Sequence, residues 1–247
     1  MHTYAVLPFD ILRTPTAWRR RPIAAASLLG LALLLQAIAL AQLGFSSTVS
    51  AGFLADLVQR FGPVAQTRVG RWQQEIRRLA VPAAGGSQRP TEKELLDAVN
   101  NYFNRNTVFV DDFKHWGVAD YWASPAEFVA SGGGDCEDYA LAKYYALKEL
   151  GVPIARLRIA YVKATRINQP HMVLTYYETA DAEPLVLDNL EPTILPAAQR
   201  PDLLPVYSFN DEDLWMARNG GSARSGSASQ IRMWRGLQDK LQHERDM

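Results

Sequence analysis

The sequence is poor in the residues that staple or metallate small folds. A single cysteine, Cys136, stands among 247 residues, so no intramolecular disulfide and no cysteine-based zinc cluster can form. Histidine is nearly as scarce: His2, His115, His171 and His243 are the only four. Neither sign of charge is in excess, with 26 lysines and arginines against 26 aspartates and glutamates. The basic surplus expected of a nucleic-acid binder is therefore missing. No segment repeats. Hydrophobic residues at 48% and charged residues at 21% exclude disorder, collagen and coiled coil as the main architecture. What is left is enough chain for one generous domain or two small ones.

The even charge hides an uneven N-terminus. Arg13, Arg19, Arg20 and Arg21 precede an apolar run from Ile23 to Ala41, broken only by Ser27, Gly30 and Gln36. Basic residues, an apolar stretch and then Ala39-Leu40-Ala41 read as a secretory signal with a small-x-small cleavage site. The run is also long enough to span a bilayer as an uncleaved anchor. The three consecutive arginines admit a twin-arginine route too, although no Ser/Thr-Arg-Arg-x-Phe-Leu pattern follows. Residues 1–41 are thus expected to be a signal peptide or a membrane anchor. Their removal would leave 22 basic and 25 acidic residues, a net charge of −3, on an exported domain.

Helical spacing runs through residues 51–80, with Phe53, Leu54, Leu57 and Val58, then Val69, Trp72, Ile76 and Leu79. Thr91-Glu92-Lys93-Glu94 and Ser124-Pro125-Ala126-Glu127 are capping boxes, the second with proline at the first helical position. After Gly132-Gly133-Gly134 a further helix begins at Asp135 or Cys136 and ends before Gly151 and Pro153. Alternating β-type runs follow at 156–163, 171–178 and 185–188, with a fourth at 206–209. Helices first and an antiparallel meander afterwards predict an α+β domain over 42–218. Residues 219–229, rich in glycine and serine, read as a flexible linker. Residues 230–247 read as an amphipathic helix with Ile231, Trp234, Leu237 and Leu241 on one side.

The lone cysteine sits where packing explains little. At a helix start it meets unpaired N–H groups and partial positive charge, which lower a thiol pKa, and its own N–H can face a developing oxyanion. A thiolate nucleophile wants an imidazole. His2 lies in the signal segment and His243 at the tail; His115, in a polar stretch, reads as a surface or structural residue. His171 opens a strand. If the 171–178 and 185–188 strands pair about a centre between Thr179 and Ala180, His171 lies opposite Asp188, with Cβ atoms about 5 Å apart. Cys136, His171 and Asp188 then form a nucleophile, a base and an orienting acid, unless Asp188-Asn189 is simply a turn at a strand end. Asp135, Glu137 and Asp138 flank the thiol and oppose its ionisation. Acids suit a first helical turn, but they would also suit Ca²⁺, a cation taken by carboxylate oxygens.

The block Gly133-Gly134-Asp135-Cys136-Glu137-Asp138-Tyr139-Ala140, with Lys143-Tyr144, Gly151-Val152-Pro153, the strand 157–163, His171-Met172-Val173-Leu174 and Leu185-Val186-Leu187-Asp188-Asn189-Leu190, resembles the bacterial transglutaminase-like cysteine proteinases. The likeness covers roughly residues 50–218 and is nearest to the branch that clips large surface adhesins in the periplasm. It implies a papain/transglutaminase-like core, with the nucleophile at a helix start packed on an antiparallel sheet. It implies Cys136 as nucleophile, His171 as general base and later acid, Asp188 as the orienting residue, and Ca²⁺ held by Asp135, Glu137 and Asp138. As partners it implies a giant adhesin cut at a di-alanine bond near its N-terminus, with biofilm release as the outcome. It also implies the periplasmic domain of an inner-membrane cyclic-di-GMP receptor, which holds the protease inactive. Trp122 is a candidate for that contact, for the substrate cleft, or for the core. A transglutaminase or amidase on the same triad, and a non-catalytic binding module, stay open as rivals.

Overall fold

The computed structural model describes residues 47–82, 89–218 and 221–247. The expected signal or anchor over 1–41 lies outside the described residues. Among the described residues, no helix is long and apolar enough to cross a membrane.

The helical spacing of 51–80 resolves into two helices. In α1 (Ala51–Phe61), the Ser50 side chain caps the start by accepting from the Phe53 N–H. Gly62, at φ 79°, turns the chain out of the helix and donates to the Val58 carbonyl. Pro63 then restarts it as α2 (Val64–Ala80). The expected capping boxes form in full. Thr91 and Glu94 exchange bonds at the head of α3 (Glu92–Asn106). Below α4 (Asp112–Trp116), Ser124 and Glu127 do the same for α5 (Pro125–Ser131), with Pro125 in its first turn. Gly132, at φ 85°, ends α5.

Helix α6 (Cys136–Glu149) is the centre of the domain. Its residues from Asp138 to Leu147 are all buried, including Tyr139, Leu141, Tyr144 and Leu147. A helix covered on every side belongs inside a core, and α6, which carries the buried Asp138 and Lys143 with it, packs against α3, α5 and the sheet.

The sheet has seven antiparallel strands in the order β6-β5-β4-β3-β7-β8-β9: β3 (Leu157–Ala164), β4 (Gln169–Tyr176), β5 (Leu185–Leu187), β6 (Leu195–Pro196), β7 (Leu203–Phe209), β8 (Asp213–Arg218) and β9 (Gly221–Ser227). A separate parallel bridge joins β1 (Val108–Phe109) to β2 (Gly133–Gly134). The α+β expectation therefore holds. The meander does not run straight through, because β7 crosses to the far side of β3 and pairs there. The expected linker is also corrected. Residues 221–227 form β9, an edge strand paired along β8. Glycine and serine have little to pack, but an edge strand is held by its backbone ladder rather than its side chains.

The C-terminal amphipathic segment is α7 (Arg232–Asp246), docked through Trp234, Leu237 and Leu241. Trp234 stacks on Tyr145 with ring centroids 6.0 Å apart and meets Phe209 edge-on at 5.2 Å. Lys240 reaches the buried Glu127 carboxylate at 2.9 Å and the Trp122 carbonyl at 2.8 Å. Arg60 and the Tyr121 hydroxyl bind the same carboxylate from α1 and the preceding loop. Trp122 itself is buried and stacks on Phe209, which makes it a core indole.

Candidate active site

The β4–β5 hairpin places the first pair of functional side chains. Its turn closes with the Ala182 N–H on the Thr179 carbonyl, so its centre falls between Ala180 and Asp181, one residue beyond the expected position. The pairing is Leu174 with Leu187, Thr175 with Val186 and Tyr176 with Leu185, a shift of two residues from the register expected. His171 is therefore not directly opposite Asp188. A two-residue shift preserves faces, whereas a one-residue slip would invert them. Continued by one residue, the observed register sets Asp188 against Val173, diagonal to His171. The ring spans that diagonal: His171 Nε2 lies 2.7 Å from Asp188 Oδ1, both side chains buried.

Asp188 is also held from three other directions. Its Oδ1 accepts from the Leu190 N–H at 3.0 Å, so the turn at the strand end and the contact with His171 coexist. Its Oδ2 accepts from Arg200 at 2.8 Å, and its backbone carbonyl accepts from Asn104 of α3. Arg200 is itself fixed by two bonds to Asp202. Burial alone would push the Asp188 carboxyl up, but the bonds from His171, Leu190 and Arg200 outweigh it and hold it at about 2. An ionised Asp188 accepts the Nε2 proton of His171. This leaves Nδ1 as the ring's basic nitrogen.

Cys136 is the first residue of α6, as the glycine run and helix start predicted. The Met172 N–H, next along β4 from His171, favours the charged form of its sulfur. The expectation of a lowered thiol pKa is nevertheless reversed. Burial and the adjacent charges of Glu137 and Asp135 push the thiol up, beyond what one helix terminus offsets. The thiol donates to Glu137 Oε2 at 3.1 Å.

The acids around the thiol are drawn together from two stretches of chain. The Val108 and Val110 N–H groups bond to the Gly132 and Gly134 carbonyls across the β1–β2 bridge. A Cβ at Gly133 would come within 2.5 Å of the Val108 carbonyl oxygen, and one at Gly134 would run into the Asp138 carboxylate. Only glycines permit this approach. It brings α4 beside the start of α6, so that Asp112, Asp135 and Asp138 each offer an oxygen within 4.8 Å of the others, as do Asp112, Asp120 and Glu137. One buried oxygen on each of Asp112, Asp135 and Asp138 has no hydrogen-bond partner among the described residues. Burial and mutual repulsion push Asp112 up to about 6, Asp135 up to about 10, and Asp138 well above the usual range. All-oxygen donors, orphaned and facing one another, fit a hard divalent cation such as Ca²⁺.

The structure thus joins His171 to Asp188, and groups Asp135, Glu137 and Asp138 beside Cys136. Sequence reasoning missed Arg200, Asn104, Asp112 and Asp120. The Asp111-Asp112 pair was the one visible signal: Asp111 caps α4 through the Phe113 N–H, while Asp112 turns inward to accept from the Tyr121 N–H at 2.5 Å. His115 takes no part in the pair and lies edge-on to Trp116.

The family pattern described as Bacterial transglutaminase-like cysteine proteinase BTLCP matches residues 73–220, the span that carries all of these side chains. The chain belongs to the bacterial transglutaminase-like cysteine proteinases. Within that family, Legionella pneumophila LapG is 39% identical in an alignment covering 78% of this chain and 98% of that one, with a TM-score of 0.64. The calcium-bound form of the same Legionella protein superposes with a TM-score of 0.62, again at 39% identity, over 78% and 99% of the two chains. An EGTA-treated form superposes with a TM-score of 0.64. No curated protein matches the sequence. A bacterial transglutaminase-like cysteine proteinase with this cluster of acids beside its thiol has a relative solved both with calcium and after chelation.

Proposed function

We propose that this proteinase is a calcium-dependent endopeptidase in which Cys136 is the nucleophile, His171 the base and then the acid, and Asp188 the residue that orients the ring. The observation that carries the reading is the 2.7 Å bond from His171 Nε2 to Asp188 Oδ1, on the strand that also turns an N–H toward the helix-start sulfur. The thiol proton passes to His171 Nδ1, and the sulfur attacks the scissile carbonyl. His171 returns the proton to the leaving amine, giving a thioester. It then takes a proton from water, which releases the acid and restores the thiol. The Cys136 N–H, in the unpaired first turn of α6, serves as one oxyanion donor.

Asp112, Asp135, Glu137 and Asp138 would hold the calcium ion, with Asp120 at the edge of the cluster. When bound, the ion supplies positive charge that neutralises the carboxylates opposing thiol ionisation. The protein's own part is to keep those acids beside the sulfur, so that the charge state of the cluster and that of the thiol are linked.

The substrate is a large surface adhesin cut near its N-terminus at a di-alanine bond. The site of action is the periplasm, the outcome is biofilm release, and the regulator is the periplasmic domain of an inner-membrane cyclic-di-GMP receptor. These finer statements are supported by the resemblance of the Asp-Cys-Glu-Asp-Tyr block and by the likeness to LapG. The test is incubation of the full chain with the N-terminal region of a co-encoded giant adhesin, with and without Ca²⁺, read by mass spectrometry. A single new N-terminus, absent with Cys136→Ala, is expected. An isopeptide crosslink or released ammonia would instead assign acyl transfer, and cleavage by Cys136→Ala would remove the nucleophile.

A further inference from the structure

The face of the sheet turned away from the helices carries a second site. Along β3, Leu157 and Ile159 enter the main core, while Arg158, Ala160 and Val162 point the other way. With Val173 and Val186, Ala160 and Val162 form a small apolar cluster of their own. That cluster is the floor of a cavity of about 750 Å³, lined by neither Cys136 nor His171. Its size falls in the range of small-molecule pockets, roughly 300–1,000 Å³.

Four arginines line it, and the two buried ones, Arg158 and Arg200, differ. Arg200 is answered by Asp188 and Asp202. Arg158 is only 8% exposed, yet among the described residues no carboxylate pairs with it. Its single hydrogen bond goes to the Ser222 hydroxyl at 3.2 Å, and its Nε has no partner. The guanidinium lies 4.3 Å from the Tyr177 ring centroid and 4.0 Å from that of Trp215, which fixes it in place. A buried charge is ordinarily paired. Arg218 and Arg224 add positive charge at the same cavity; Arg224 is met by Asp213, and Asp181 is the acid in the lining.

We infer that this cavity binds a small organic anion with an apolar body and a single charged head, the head meeting Arg158 and the body lying on the Ala160, Val162, Val173 and Val186 floor. A carboxylate suits the edge of a held guanidinium, which offers parallel N–H donors. The site touches the proposed catalytic pair through Arg200, which lines the cavity and bonds to Asp188, a link that rests on the functional reading above. The binding itself does not rest on it.

Octanoate is the probe, titrated by calorimetry into the full chain without substrate, so the result is independent of proteolysis. Saturable one-to-one binding is expected, at least tenfold weaker for octanol, which lacks the charge. Arg158→Gln should weaken octanoate binding at least tenfold. Ala217→Trp, which fills the cavity from the half-exposed strand β8, should do the same without replacing a buried residue. No saturable binding to the wild-type chain, equal affinity for octanol, or unchanged affinity in either variant would overturn the inference.

Discussion

The Asp188 site and the cluster of Asp112, Asp135 and Asp138 are built on opposite plans. Asp188 is surrounded by donors from within the chain: the His171 ring, the Leu190 N–H and Arg200. It is held ionised, at about 2. Asp112, Asp135 and Asp138 are surrounded largely by one another, each with an oxygen that no donor meets, and all are pushed up. The first group is complete in the polypeptide. The second is completed only by something carrying positive charge. A low dielectric rewards the satisfied group and penalises the unsatisfied one, so the contrast separates the residue proposed to orient a base from those proposed to hold a cation.

The contrast breaks most sharply at Asp188. Asp188→Asn should keep the fold and lower kcat by about 10³–10⁴-fold, because the amide no longer fixes the ring tautomer or stabilises an imidazolium. Steady-state cleavage of an adhesin fragment, with circular dichroism as the control, measures this. A loss smaller than tenfold would mean that the pair is structural. Calcium removal should come next. EGTA should reduce cleavage by about two orders of magnitude, and added calcium should restore it. A hundredfold excess over Kd should also stabilise the fold by about 2.7 kcal/mol, read as a rise in Tm. Full activity in excess chelator would leave the triad standing and take away the cation.

The satisfied group has its own signature in acid. Its folded pKa lies below the ordinary carboxylate value, so its contribution to stability is fully present above about pH 4 and is lost as pH falls through about 2. The contribution is about 2 kcal/mol. Urea unfolding of the wild type and Asp188→Asn should therefore differ at pH 5 and converge near pH 2. A constant gap would refute the assignment. The smallest effect sharpens the other side. Asp112→Asn should stabilise the calcium-free protein at neutral pH by on the order of 1 kcal/mol, since it removes one repelling charge. The same variant should weaken calcium binding in titrations. Destabilisation of the calcium-free form would show that the cluster is not repulsive.

What was legible from the sequence was whatever acts over a few residues. Thr91-x-x-Glu94 and Ser124-Pro125-x-Glu127 cap helices because their partners are three residues away. Cys136 at a helix start follows from three glycines and an apolar run. His171 and Asp188 could be paired through one hairpin, and even there the turn centre was one residue off. Arg200 was out of reach, because it depends on a crossover that brings the segment before β7 behind β5. Asp112 was hidden for a related reason: the β1–β2 bridge that carries it to Asp135 joins strands of two residues each, too short for any alternation to show. Strand β9 was misread because its Gly-Ser composition is that of a linker, while its order comes from the neighbouring backbone.

The docking of α7 also ties the charge balance of the helical layer to a distant stretch of chain. Glu127 is enclosed by residues 60, 121 and 124, all made early, yet its second cation is Lys240. Without that lysine the enclosed acid would keep the Tyr121 hydroxyl and the Ser124 N–H, but Arg60 would be its one cation. Helix α7 thus completes the charge balance of an acid that lies more than a hundred residues earlier in the chain, so loosening the helix would expose a fault in a distant layer.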